Sequence, residues 1–183
     1  ITYRTHVQSY GWQGWKNNGV MAGTSGRAKR LEGIEIKLTN QQYTGNIVYR
    51  THVQSYGWES RWRMNGEMSG TSGQAKRLEA IQIYLTGELA NHYDVYYRVH
   101  AQSYGWLGWT RNGAAAGTAG YAKRLEAIQI VLVQKNGAAP GNVAGLVSTV
   151  GTGFVNRPEI ALPENALQYL EFSGTIGDTI TLP

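Results

Sequence analysis

Arg4-Thr5-His6-Val7-Gln8-Ser9-Tyr10-Gly11-Trp12 stands near the start of the chain and is written twice more. The second copy is Arg50-Thr51-His52-Val53-Gln54-Ser55-Tyr56-Gly57-Trp58 and the third is Arg98-Val99-His100-Ala101-Gln102-Ser103-Tyr104-Gly105-Trp106. Each runs on to a second tryptophan (Trp15, Trp62, Trp109), an Asn-Gly pair, a Gly-Thr-x-Gly step and an Ala-Lys-Arg-Leu-Glu tract that closes in Ile, Ile and Leu. The period is about 47 residues, within the range that marks repeat architectures. Units of this size cannot each bury a core, so three of them must share one.

Inside each copy the phrase alternates. Tyr3, Thr5, Val7 and Ser9 face one way and Arg4, His6, Gln8 and Tyr10 the other, the period-2 pattern of a half-buried strand. Ile34, Ile36 and Leu38 alternate in the same manner with Glu35 and Lys37, and Ile81, Ile83, Leu85 and Ile128, Ile130, Leu132 repeat it. Asn18-Gly19, Asn65-Gly66 and Asn112-Gly113 tolerate positive φ and read as hairpin turns. About four short strands per repeat follow, giving an all-β, pseudo-threefold body over residues 1–134, with repeats at about 3–47, 48–95 and 96–134. A β-prism, with one small sheet per repeat, is the expected arrangement and a β-trefoil its alternative. The Ala-Lys-Arg-Leu-Glu tract has a helical turn as its alternative to a strand entry.

The palette agrees. With 24 Gly, 12 Tyr and 6 Trp but only 2 Phe, the chain has strand and turn material rather than helix formers. Absence of Cys excludes a disulfide framework and a thiol nucleophile. No apolar run reaches membrane-spanning length, so no membrane insertion is expected. A first residue other than Met leads to the expectation of a processed form or an excised fragment. Charge is uneven: residues 1–133 carry 15 Lys/Arg against 8 Asp/Glu, and residues 134–183 carry 2 against 4. A basic repeat region suits an anionic glycan or polymer as well as plain solvation.

From Lys135 the repeat stops. Asn136 to Asn142 reads as a linker, and residues 135–183 as a small C-terminal β extension, either packed on the repeats or mediating self-association through a terminal strand.

The ordered series Gly-Trp, second Trp, Asn-Gly, Gly-Thr-x-Gly and Lys-Arg-Leu-Glu-Ala-Ile resembles three tandem ChW repeats, the clostridial hydrophobic repeat with its tryptophan, over about residues 3–133. The resemblance implies a modular protein secreted by, or displayed on the surface of, a Gram-positive bacterium, with a part in adhesion or in binding glycans or proteins. Copy one departs from Leu-Glu-Ala at Gly33, and copy two carries an extra residue between Trp58 and Trp62, so the loops holding the second tryptophan should differ.

Triplicated aromatic and polar residues point to lectin-like carbohydrate binding. An indole or phenol face lies against a sugar ring while donors take its hydroxyls. The candidate ligand residues are Trp15, Trp62 and Trp109, with Tyr10, Tyr56 and Tyr104, Arg4, Arg50 and Arg98, and Gln8, Gln54 and Gln102. Trp12, Trp58 and Trp106 are read as packing. The competing reading of the polar face is an internal network, because buried polar groups must be paired. Convergence of His6, His52 and His100 on the axis as a metal site is a further alternative, although one His per repeat is no metal motif by spacing. No Gly-x-Ser-x-Gly, His-Glu-x-x-His or phosphate loop is present, so no enzyme activity, metal or cofactor is expected. Lys29-Arg30, Lys76-Arg77 and Lys123-Arg124 are isolated basic pairs whose Arg is expected to meet the Glu two residues on, and nucleic acid is not an expected partner. The expectation is a multivalent binder of a glycan or cell-surface polymer. A structural subunit of an extracellular fibre, surface layer or phage particle is the alternative.

Overall fold

The computed structural model describes residues 1–141. Repeat 1 forms β1 (Thr2–Val7), β2 (Gly11–Trp12), β3 (Lys16–Asn17), β4 (Ala22–Gly23) and β5 (Leu31–Lys37). Repeat 2 forms β6 (Ile47–Val53), β7 (Gly57–Trp58), β8 (Arg63–Met64), β9 (Ser69–Gly70) and β10 (Leu78–Leu85). After a short helix, α1 (Gly87–His92), repeat 3 forms β11 (Tyr93–Ala101), β12 (Gly105–Trp106), β13 (Thr110–Arg111), β14 (Ala116–Gly117) and β15 (Leu125–Gln134). Each repeat thus holds five strands where four were expected, three of them only two residues long. The Ala-Lys-Arg tract is not a helical turn: Ala28, Ala75 and Ala122 sit at φ 52°, 54° and 56°, a left-handed conformation that no right-handed helix accommodates.

The strands make three separate five-stranded sheets, one per repeat, which is the prism-like arrangement. In each, the two long strands pair antiparallel, β1 with β5, β6 with β10 and β11 with β15. The fifth strand always comes from another repeat. Repeat 2 lends β9 to β5, repeat 3 lends β14 to β10, and repeat 1 lends β4 to β15, so the exchange closes into a ring. This closure covers strand edges that would otherwise be open to a second chain.

The alternation decides what lies inside. Tyr3, Thr5 and Val7 on β1 are buried while Arg4 and His6 are half-buried. The inward Ile pairs of the three closing strands, Ile34 with Ile36, Ile81 with Ile83 and Ile128 with Ile130, meet in one core with Tyr3, Tyr49 and Tyr97. Those tyrosines also stitch the repeats. Each hydroxyl donates within its own repeat, to the carbonyls of Val20, Glu67 and Ala114. Each accepts at 3.1 Å from a backbone N–H of a neighbouring repeat, Ile130, Ile36 and Ile83 respectively.

The Asn-Gly pairs form tight turns but not hairpins. Asn65 and Gly66 lie at φ 48° and 98°, yet the strands they join enter different sheets: β8 pairs with β6 and β9 with β5. The turn is a crossing point and a second stitch. Asn65 Oδ1 accepts from Ile47 N at 3.2 Å, and Gly66 N donates to Ile36 O at 2.7 Å.

Helix α1 has no counterpart in the other described repeat junction. It buries Leu89 against the core, and Tyr43 stacks on His92 with centroids 3.6 Å apart. The extension expected over most of residues 135–183, with its role in self-association, lies outside the described residues from Asn142 onward.

Candidate functional site

The outer face of each first strand carries one network three times. Glu32, Glu79 and Glu126 are buried, and each accepts at 2.8 Å from the Nε of Arg30, Arg77 or Arg124, the pairing expected from the sequence. Their other carboxylate oxygens lie 3.0, 3.1 and 3.1 Å from Nδ1 of His6, His52 and His100. That approach has ion-pair distance without hydrogen-bond alignment. Each imidazole meets Trp12, Trp58 or Trp106 edge-on at 5.5, 5.5 and 5.6 Å. The three histidines are therefore held at separate sheets by their own glutamates and do not converge, and no metal-type cluster occurs among the described residues.

Two residues before each histidine on the same strand, the arginine of the repeated phrase is placed between two indoles. Arg4 lies 5.0 and 4.8 Å from the ring centres of Trp12 and Trp15. Arg50 lies 5.2 and 4.4 Å from Trp58 and Trp62, and Arg98 lies 4.7 and 4.9 Å from Trp106 and Trp109. Each Nε donates across the sheet, to Glu35 at 2.7 Å, Gln82 at 2.9 Å and Gln129 at 2.7 Å. Burial holds the Arg98 pKa below its usual value. A guanidinium stacked on two rings and bonded at Nε has much of its donor capacity directed inward, so these arginines build the sheet surface. Gln8, Gln54 and Gln102 sit half-buried at the foot of the turn, where their backbone N–H groups donate at 2.9 Å to the carbonyls of Arg30, Arg77 and Arg124.

The second tryptophans diverge, and Trp15 and Trp109 do so although their loops are equally long. Trp15 is 37% exposed and carries Lys37 Nζ 4.2 Å from its ring centre. Trp62 is half-buried and edge-on to Tyr84 at 5.0 Å. Trp109 is only 5% exposed, and the backbone at Gly141 passes so close that a Cβ there would lie 2.7 Å from its Nε1. Acrylamide quenching of tryptophan fluorescence is accordingly expected to fall most in Trp15→Phe and to stay unchanged in Trp109→Phe. Equal effects from both would contradict these placements.

What the three copies do present alike is a tyrosine. Tyr10, Tyr56 and Tyr104 are 49%, 62% and 40% exposed at the tips of the hairpins that join the first two strands of each repeat. Ser9, Ser55 and Ser103 sit at φ 67°, 69° and 70°, which turns the chain within three residues and projects the phenol outward, where continued strand alternation would have laid it on the sheet. Lys29, Lys76 and Lys123 donate to those serine hydroxyls at 3.2, 3.3 and 3.2 Å. Lys29 and Lys76 also approach the Tyr10 and Tyr56 rings at 5.9 and 5.5 Å. The sequence reading missed these lysines and serines as neighbours of the tyrosine. The signal was the recurrence of Ser-Tyr-Gly with a Lys about 20 residues on, close in space only because β1 pairs with β5.

Against known proteins, the family model described as ChW, Clostridial hydrophobic W, matches residues 6–40, 52–87 and 100–134, together more than half of the chain. No curated protein matches, and no solved structure does.

Proposed function

The chain belongs to the Clostridial hydrophobic W family, and from that premise we propose that its three-repeat body is a non-catalytic, multivalent module for carbohydrate or another cell-surface polymer. It would act outside the cell or on the bacterial surface. The observation that carries this reading is the threefold tip: an exposed phenol and a serine on a tight hairpin, with a lysine from the approach to the last strand bonded to the serine, repeated on one ring. A large amphipathic ring with little rotamer freedom is suited to lie on the C–H face of a sugar while the ammonium and hydroxyl reach its oxygens. Weak single contacts on one body add through effective concentration, which favours a repetitive polymer over a small free ligand.

The emphasis moves from indole to phenol. Most second tryptophans are screened by their own arginine or by burial, whereas all three tyrosines face solvent. Trp15 is the most exposed of the three tryptophans but carries Arg4 and Lys37 against its ring.

The test is retention on immobilised polysaccharides. One tyrosine changed to Ala is expected to weaken binding a few-fold, and Tyr10→Ala, Tyr56→Ala and Tyr104→Ala combined to weaken it by roughly 100-fold or more. Because the side chains are exposed, the melting temperature should barely move. A panel without any retained saccharide, or a triple variant that binds like the parent, removes the reading.

A further inference from the structure

The three tips share a tyrosine but not their surroundings. The residue after the Gly of the bend is Arg27 in repeat 1, Gln74 in repeat 2 and Tyr121 in repeat 3. The residue after Gly-Trp is Gln13, Glu59 and Leu107 in the same order. In repeat 2 the positions are used internally: Tyr56 OH donates to Gln74 Oε1 at 3.1 Å, and Glu59 accepts from Thr51 N at 3.1 Å and Arg63 at 3.2 Å. In repeat 3 the second position is a half-buried leucine.

In repeat 1 they open onto a groove of about 640 Å³ lined by Tyr10, Gln13, Lys16, Thr24, Ser25 and Arg27. The volume is of the order that holds a small ligand. No carboxylate lines it, and neither Lys16 nor Arg27 has an ion-pair partner among the described residues. Its wall is stiff, because Thr24 N donates to Glu126 O at 2.8 Å and Gly23 is pressed against the same carbonyl. Two uncompensated cations, the exposed Ser25, an amide and an exposed phenol thus share one concave surface.

We propose that this groove is an anion-selective saccharide site present in repeat 1 alone, taking a sugar that bears a carboxylate. The Tyr10 ring would support the sugar face, the Arg27 guanidinium would grip the carboxylate in its planar fork, and Lys16 would supply a second positive charge. Gln13 and Ser25 would exchange hydrogen bonds with ring hydroxyls. The inference rests on the multivalent reading above and assigns one of its three sites a ligand class.

Isothermal titration with tetragalacturonate and with its neutral methyl ester tests it on the intact chain. The acid is expected to bind at least tenfold more tightly than the ester, with affinity falling as salt rises. Arg27→Gln, which installs the residue of repeat 2, should weaken the acid by roughly tenfold and leave the ester unchanged. Tyr10→Ala should weaken the acid, whereas Tyr56→Ala and Tyr104→Ala should not. Equal binding of acid and ester, or an Arg27→Gln variant that binds the acid like the parent, overturns the proposal. If immobilised polysaccharides are then still retained through all three tyrosines, the multivalent reading stands without it. If neither acid, ester nor polysaccharide binds, both fall. Arg27 is exposed, so an unchanged melting temperature in Arg27→Gln confirms that a lost affinity is not lost folding.

Discussion

Gly70→Ala is expected to destabilise the domain by about 2–5 kcal/mol, lowering its melting temperature by roughly 10 °C. Gly70 belongs to β9, the strand that repeat 2 lends to the sheet of repeat 1, and sits opposite Gly33. Its φ is 95°, where an L side chain is strained, and a Cβ there would lie 2.5 Å from Glu32 O and 2.8 Å from Leu78 Cδ2. The first obstacle is backbone of a buried strand and cannot rotate away, so relief requires β9 to move off β5. The same device recurs at Gly23 and Gly117, where a Cβ would meet Glu126 O and Glu79 O at 2.4 Å each.

Gly33→Ala provides the contrast. That position is alanine in the other repeats, as Ala80 and Ala127, its φ is not left-handed, and a Cβ would meet Thr71 O at 3.1 Å. A shift of a few tenths of an ångström is set against the lower unfolded-state entropy of Ala, so the net change should stay within about 1 kcal/mol. Thermal melts of the two variants check the pair. A Gly70→Ala variant as stable as Gly33→Ala would mean that the exchanged strands do not hold the ring together.

The body was legible because its signals were local and repeated. Tyr3, Thr5 and Val7 alternate with Arg4 and His6, and period 2 in a sequence becomes inside and outside in a sheet without further information. The three Ile-x-Ile rows likewise announced a shared core. The Asn65-Gly66 turn was legible as a turn but not as a crossing, since positive φ fixes the bend and says nothing about which strand pairs on each side. Strand exchange between repeats is a long-range property, and nothing in Ser69-Gly70 names Gly33 as its partner. The site divided along the same line. The Arg30–Glu32 contact spans two residues and could be read off, whereas the Arg4–Trp12–Trp15 stack depends on β2 folding back so that Trp12 lies opposite His6. The alternation placed Tyr10 on the strand face, but the structure holds it exposed at a hairpin tip: Ser9 adopts a left-handed conformation despite its Cβ, which pattern reasoning reserves for Gly or Asn.

Above pH 10 the domain is expected to lose stability steeply, through the three tyrosines that stitch its repeats. Burial pushes the Tyr3 and Tyr49 hydroxyls up to about 12 and the Tyr97 hydroxyl higher, and the backbone N–H groups that bond them oppose this only in part. In the unfolded chain a tyrosine ionises near pH 10. The folded state therefore keeps protons that the unfolded state has released, so this stabilisation is fully present below pH 10 and disappears as pH rises through about 12. Each tyrosine contributes up to about 1.4 kcal/mol per pH unit, and three together about 4, so two units consume much of the ~5–15 kcal/mol that holds an ordinary domain folded. A phenolate at Tyr97 also cannot donate to Ala114 O, so ionisation removes the stitch along with the neutral ring. Denaturant midpoints measured across this range should fall together with a cooperative rise in phenolate absorbance from the buried tyrosines. Tyr97→Phe separates the two roles of the hydroxyl. At neutral pH it leaves the Ile83 N–H and the Ala114 carbonyl without their partner and should cost about 2–4 kcal/mol. Above pH 10 it has one phenol fewer to ionise, and its stability should decline about a third less steeply than that of the parent. Parallel alkaline slopes in the two proteins would show that Tyr97 is not held protonated by the fold.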